Sequence, residues 1–352
     1  MSGGATALGV LLPDGGRYNP ATDTWTAIPE TLPNSPAGRL FSQAMWTGTE
    51  MIVWGGYHFP GGDLEGRSDG GRYNPATNTW TPITPTEIPG DQPGPQGGWT
   101  GTGLVAWSGS EGARYDDGSG LWAAMSTVSA PLGGVINRGW TWSGTELLLF
   151  GGEMTGSYFN TGYRYNSTID SWFALPVTAE TPTPRTAPSA LWTGTEAIFW
   201  SGVDGGGYLS SGSLYNPATA IWTEMTTTDA PSGRRHAVSL WTGTKAFFCG
   251  GSDTALRDDG GLYDPDTDTW TPISTVNSPA GATQGVWTGT EALVVATSGT
   301  RLQLHRYDPA TDAWTLASTM GAPPHTRLPR TWCGPERSCL SGGGMSATEW
   351  VA

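Results

Sequence analysis

Hydrophobic residues in this chain come in short runs, and each run is closed by glycine or by a polar turn. Ser189-Ala190-Leu191-Trp192 gives way to Thr193-Gly194-Thr195-Glu196, and Ala197-Ile198-Phe199-Trp200 then runs to Ser201-Gly202. Runs this short, rich in β-branched and aromatic residues and without helical patterning, predict strands. A Thr-Gly pair between two of them predicts a tight hairpin, because glycine tolerates positive φ. The phrase occurs seven times, led by Trp46, Trp99, Trp142, Trp192, Trp241, Trp287 and Trp332 at intervals of 43 to 53 residues. A second phrase alternates with it, Tyr215-Asn216-Pro217-Ala218-Thr219-Ala220-Ile221-Trp222, with its tyrosine at Tyr18, Tyr73, Tyr115, Tyr165, Tyr215, Tyr263 and Tyr307. Asn-Pro opens a turn, with a side-chain acceptor first and proline second. The predicted unit is a four-stranded antiparallel meander, whose strands we label a to d, with the hairpin joining a to b and the Asn-Pro turn joining c to d.

A repeat of this period means a solenoid, a propeller or an array. Residues 1–30 supply only c-like and d-like strands, with Tyr18 and Trp25. Six complete units follow, and the end supplies only Arg330-Thr331-Trp332 and Arg337-Ser338-Cys339-Leu340-Ser341-Gly342 as a and b. A length of 352 residues would ordinarily suggest two domains. The repeat argues instead for one domain over 1–352, a closed ring in which 1–30 and about 325–352 share a blade. Closure removes the unpaired edges that would otherwise invite aggregation.

Gly-Gly after a short apolar strand, then Tyr-Asn/Asp-Pro-x-Thr, then a tryptophan six or seven residues after the tyrosine, resembles the kelch repeat, with a bacterial cast. The resemblance covers essentially the whole chain. It departs at Tyr115-Asp116-Asp117-Gly118, which lacks the proline, and at Thr297-Ser298-Gly299, which lacks the double glycine. It implies an all-β fold, a seven-bladed kelch-type propeller of four-stranded antiparallel blades. It implies no single function: some kelch propellers bind proteins or peptides, and a few are enzymes, such as galactose oxidase and the sialic acid mutarotases. The cysteine-modified tyrosine of galactose oxidase has no recognisable counterpart here.

Charge narrows the partners. The net charge is −14 and Lys245 is the single lysine, so a grip on nucleic-acid phosphates is not expected. No run reaches the ~18 apolar residues of a membrane helix. The start of the sequence shows no charged n-region or apolar core of a signal peptide. Scarce lysine and abundant threonine and glycine nevertheless point to a secreted or cell-envelope setting, and a monomer is expected. Cys249, Cys333 and Cys339 are too few for a disulfide framework. Cys333 and Cys339 fall at positions of one hairpin that do not face each other, and whether they are bridged stays open.

Candidate chemistry gathers on one face. The a–b and c–d turns are near-identical in all units. The b–c and d–a loops vary, up to the long Tyr57–Gly71 loop, and a variable face suggests binding. Seven residues before the first tryptophan stand Arg39, Gln92, Val135, Arg185, Arg234, Ala280 and His325, with Arg138, Arg235 and Arg327 close by. Just past the glycine pair stand His58, Glu111, Glu153, Asp204 and Asp253. The plain reading is a rim of solvated ion pairs, each worth under about 1 kcal/mol. The functional one makes the arginines planar forks for carboxylate or phosphate. His58, His236, His305 and His325 fall on an arc of four consecutive units. With Asp253, Asp204 or Glu153 they would hold a divalent metal able to activate water. Tyr57, Phe59, Tyr158, Phe159 and Tyr208 would stack on a sugar or grip a peptide. The expected function is capture of a protein or peptide, a glycan or a small anionic ligand at the mouth of the channel. The alternative is a metal-dependent hydrolase or sugar-modifying enzyme on the same face.

Overall fold

The computed structural model describes residues 15–29, 32–40, 42–58, 65–83, 96–282, 284–298 and 301–321. Among these there is no helix. Six four-stranded sheets follow one another, each ordered a-b-c-d with every pairing antiparallel. We number them blades 1 to 6, led by Trp46, Trp99, Trp142, Trp192, Trp241 and Trp287. Strand a of each blade lies beside strand a of the next, so the blades radiate from a common axis as a propeller. The seventh unit is represented by two strands, Gly15–Asn19 and Thr24–Ile28. Six complete blades, not seven, are therefore seen. The expected a and b strands around Trp332, with Cys333 and Cys339, lie outside the described residues.

The local reasons are visible in blade 4. Thr193 N–H donates to the Glu196 carbonyl at 2.9 Å, and Gly194 takes φ +104° as the first central residue of the turn. Thr193 Oγ1 accepts from Glu196 N–H at 3.0 Å, which explains why threonine opens the phrase. Ala197, Ile198, Phe199 and Trp200 are all fully buried. Blades 2 to 5 each have a neighbouring blade on both faces, so their strand b reads as an unbroken apolar run. Strand d is the outer edge, and in Ile221–Glu224 only Trp222 is buried.

Tyrosine and second tryptophan face each other across strands c and d in every unit, with ring centroids 4.9 to 5.2 Å apart. Such pairs contribute about 0.5–1.5 kcal/mol beyond area burial. The same residues join the blades. The indole N–H of Trp172, Trp222, Trp270 and Trp314 donates to Ser126, Pro176, Thr226 and Ser274 of the preceding blade, at 2.9 to 3.0 Å. Asp170, Asp268 and Asp312 each accept the tyrosine hydroxyl five residues earlier and a backbone N–H of the preceding blade's Ser126, Thr226 or Ser274. For Trp222 the acceptor in the preceding blade is Pro176, which has no N–H to give, and the matching turn residue is Ala220 rather than aspartate. Donor and acceptor are lost together.

A third coupling runs forward around the ring, from the arginine before the strand-c tyrosine. Arg72 pairs with Asp117 of the next blade, Arg114 donates to Asp170 at 2.9 Å, and Arg164 reaches the Pro217 carbonyl at 3.4 Å. The N-terminal hairpin obeys all three rules. Trp25 donates to Ser318 of blade 6, Asp23 accepts from Ser318 N–H and Tyr18 hydroxyl, and Arg306 of blade 6 donates to Tyr18. Arg17 in turn donates to the Pro75 carbonyl of blade 1 at 2.6 Å. The hairpin thus touches the last complete blade on one side and the first on the other.

Candidate functional site

At the variable face, Arg39, Arg185 and Arg234 are buried, with exposures of 3, 1 and 0%. Each makes the same contacts inside its own blade. Nε donates to the carbonyl two residues back, Ala37, Thr183 or Ser232. Nη1 donates to the residue that ends strand b, Gly55, Ser201 or Gly250, at 3.0 to 3.1 Å, and to the residue before or beside strand c, Asp69, Ser211 or Asp259, at 2.7 to 3.0 Å. Nη2 finishes on a side chain of that same residue. The guanidinium therefore ties the end of strand b to the start of strand c, and shares the Asp69, Ser211 or Asp259 carbonyl with the N–H of Gly55, Ser201 or Gly250. Burial pulls Arg185 down to about 10, which leaves it protonated at neutral pH.

The main chain of the same residues bonds the previous blade. Gly152 N–H donates to Arg185 O at 2.8 Å, and Gly202 N–H donates to Arg234 O at 2.9 Å. A Cβ on Gly202, whose φ is +102°, would lie 2.7 Å from the Thr186 carbonyl, so this close approach requires glycine. Ser201 sits fully buried at φ +66° in the place of the first glycine. Its hydroxyl lies within hydrogen-bond distance of Leu209 O, Arg234 O and Arg234 N–H, which offsets the strain.

These three arginines are thus not the open forks expected of a ligand ring, because their donors are filled from within the fold. They are not solvated rim pairs either. Arg138 is also buried; it donates to Leu132 O at 3.2 Å, lies 5.8 Å over the Tyr163 ring, and is lowered to about 10 by burial. Arg235 is half-buried and pairs through its backbone with Ser252. No described carboxylate forms an ion pair with Arg138 or Arg235. Arg327 lies outside the described residues.

Sequence reasoning missed how the b–c loops fold. Tyr57–His58 with Glu65–Gly66, Glu153–Met154 with Ser157–Tyr158, and Val203–Asp204 with Gly207–Tyr208 are miniature hairpins above blades 1, 3 and 4. Each pairs back onto the entry to strand a through Leu40–Tyr57, Ile136–Glu153 and Thr186–Val203. Their aromatic residues reach sideways. Tyr208 hydroxyl donates to the Asp253 carbonyl of blade 5 at 2.9 Å, and Tyr158 lies against Gly205 of blade 4. Tyr57, Tyr158, Phe159 and Tyr208 are half-buried, so part of each ring still faces outward. Phe59 lies outside the described residues.

The carboxylates are occupied locally. Asp204 accepts from Gly206 and Gly207 N–H, Glu153 accepts from Asn137 Nδ2 at 3.3 Å, and Asp253 pairs with Arg257. His58 lies 3.6 Å from Glu65. His305 stands on strand c, lining a cleft with Trp314 and Leu316 of the outer strand, away from the channel mouth. Among the described residues no three His, Cys, Asp or Glu side chains gather into a metal-holding group, so the expected set of His58, His236, His305, Asp204, Asp253 and Glu153 is not brought together. His325 lies outside the described residues. Cys249 is a free, buried thiol, raised by desolvation.

The mouth does assemble a different set. Asn137 and His236, with Ala187 between them in ring order, stand five residues before their first tryptophans, all at φ +51 to +57°. Ala187 N–H donates to Asn137 O at 2.8 Å, and Ser189 hydroxyl to Ala237 O at 3.4 Å, so the three positions follow one another from blade to blade. Beside them Asn137 Oδ1, Arg138 Nε, Thr186 Oγ1, Arg235 Nε and His236 Nδ1 are buried atoms with no hydrogen-bond partner among the described residues. Burial and the neighbouring Arg235 lower His236 to about 4, so its imidazole is neutral at pH 7. This sector of blades 3 to 5 offers donors and acceptors together, next to half-exposed aromatic rings. The shared offset from the first tryptophan was the available sequence signal for Asn137.

A family model described as the KLHDC2/KLHL20/DRC7 Kelch-repeats domain matches residues 116–299, which span blades 3 to 5 and parts of their neighbours. No curated protein matches the chain.

Proposed function

Because the chain belongs to the kelch-repeat family, whose propellers typically serve as interaction scaffolds, we propose that it is a binding module that takes its ligand at the mouth of blades 3 to 5. The observation that carries this reading is the contrast between the two faces. The turn face spends its aspartates, arginines and indoles on repeated bonds between blades. At the mouth, Asn137, Thr186, Arg235 and His236 keep polar atoms without partners among the described residues, beside Tyr158, Phe159 and Tyr208. Unpaired polar atoms are costly when buried and gain most from a ligand that completes them. Arg138 and Arg235, without carboxylate partners among the described residues, favour a peptide, glycan or small molecule with an anionic group.

The ring itself belongs to the reading. The N-terminal hairpin already bonds to blades 6 and 1 by the rules that join the other blades. Residues from about 325 to 352 would add strands a and b, making a seventh blade and a single closed domain.

Peptide and glycan arrays probed with the full chain, then with Arg235→Ala, His236→Ala and Tyr208→Phe, test the site. Thr193→Ala and Thr242→Ala on the opposite face serve as controls. Capture should fall in the first set and persist in the controls. Capture lost only in the turn variants would place the site on the wrong face.

A further inference from the structure

On the turn face, the arginine before the strand-c tyrosine works with the acidic residue that closes the a–b turn of its own blade. Arg72 holds Glu50 at 2.9 Å, Arg164 holds Glu146 at 3.2 Å and Arg306 holds Glu291 at 2.7 Å. Each guanidinium also reaches an oxygen of the following unit, on Asp117, on the Pro217 carbonyl or on Tyr18. The other three blades differ in three ways. Blade 2 has Gly103 at the acidic position, and its Arg114 is committed to Asp170. Blade 5 exchanges both members, with Leu262 for the arginine and Lys245 for the acid, and Lys245 lies 3.5 Å from Asp264. Blade 4 exchanges one member only. Leu214 replaces the arginine, and the acid stays as Glu196.

Glu196 is half-buried, and among the described residues its carboxylate has neither an ion pair nor a hydrogen bond. Across the seam, the exposed Asp268 of blade 5 accepts the Tyr263 hydroxyl and Thr226 N–H, each at 2.8 Å and both on Oδ1. Asp170 uses its Oδ1 in the same way, for Tyr165 and Ser126, and its Oδ2 accepts from Arg114 of the preceding blade at 2.9 Å. The matching residue before Asp268 is Leu214, whose side chain ends without a donor, and Asp268 Oδ2 has no partner among the described residues. Leu214 is buried in the cluster that holds Trp270 and Tyr263, so the seam stays packed beneath the two carboxylates. Asn216 and Ile221 pair across strands c and d on the face of Leu214, and Ile221 is 58% exposed.

We propose that the seam of blades 4 and 5 on the turn face, separate from the channel mouth, receives an arginine side chain of a partner protein. It completes from outside the clamp that blades 1, 3 and 6 complete from within. The guanidinium lies between Glu196 and Asp268 Oδ2, and its stem lies along Ile221. Arginine fits better than lysine, because a planar fork bonds two carboxylates at once and an ammonium is a point charge. A partner's side chain fits better than free arginine, whose own carboxylate is repelled by the two acids and by a chain of net charge −14. One exposed ion pair is weak, so the contact sets register and specificity within a larger interface.

The test is an NMR titration of the ¹⁵N-labelled full chain with a capped alanine pentapeptide carrying a central arginine, with its lysine counterpart and with free arginine. The arginine peptide should give saturable shifts at the Glu196 and Asp268 amides, with a Kd in roughly the millimolar range. The lysine peptide should bind at least about fivefold more weakly. The arginine peptide should lose at least about fivefold with Glu196→Gln and with Leu214→Arg, which supplies the guanidinium from within as blades 1, 3 and 6 do. Glu196→Gln leaves the backbone bond to Thr193 in place, so the turn survives it. The proposal is overturned by no saturable shift with the arginine peptide, or by a lysine peptide that binds within about twofold of it. Binding by both variants within about twofold of wild type, or tighter binding of free arginine than of the peptide, overturns it equally.

Discussion

The indole N–H of Trp25 donates to the carbonyl of Ser318 at 2.9 Å, joining residues 293 positions apart. It repeats the bond that Trp172, Trp222, Trp270 and Trp314 make to their preceding blades. The first described strands therefore occupy the place next after blade 6. Trp25→Phe keeps the ring against Tyr18 but removes the donor, and should lower unfolding free energy in urea by about 1 kcal/mol. Trp25→Ala should cost about 3 kcal/mol or more. Equal, negligible effects of the two would mean that the hairpin carries no ring contacts in solution.

Ala220 adopts φ +58° at the turn position held by Asp23, Asn78, Gly120, Asp170, Asp268 and Asp312 in the other units. Alanine is strained there, whereas asparagine tolerates it and can accept the Tyr215 hydroxyl as Asn78 accepts that of Tyr73, at 2.7 Å. Ala220→Asn should stabilise the protein by about 0.5–1 kcal/mol, read as a higher melting temperature. A lower melting temperature would contradict the assigned role of this position.

His236 has its pKa lowered from 6.5 to about 4 in the fold. Between these values the unfolded chain binds the proton and the folded one does not. The contribution is therefore fully present above pH 6.5 and is lost as pH falls toward 4. His236→Gln should flatten the slope of stability against pH in that window. An imidazole that titrates near 6.5 by NMR would show that the mouth is wetter than its packing implies.

The blades were legible because each signal is local. Thr-Gly-Thr, Asn-Pro and the glycine pair state their turns within a few residues, and Tyr–Trp spacing states the register of c and d. The arginines at Arg39, Arg185 and Arg234 were legible as a repeated position but not as a role. Burial comes from sheets and loops far along the chain, and a guanidinium facing Gly250 O reads the same in sequence as one facing solvent. The described histidines do not gather with the carboxylates for a related reason. Ring order placed the histidines on one arc, but His305 lies out along the radius on strand c, while His236 lies at the axis. The arginines before Tyr18, Tyr73, Tyr115, Tyr165 and Tyr307 were a pattern open to inspection, and their partners in the next blade needed the assembled ring.

Whether the mouth's arginines hold the propeller together or wait for a ligand is decided by the urea-unfolding free energy of Arg234→Ala. The substitution strips donors from Ser232, Gly250 and Asp259 and leaves the Asp259 carboxylate, 2.7 Å from Nη2, without its charge partner. A loss of about 3–5 kcal/mol is predicted, with Arg234→Lys recovering only part because an ammonium cannot reproduce the fork. A loss below about 0.5 kcal/mol, the range of an ordinary surface substitution, would contradict it.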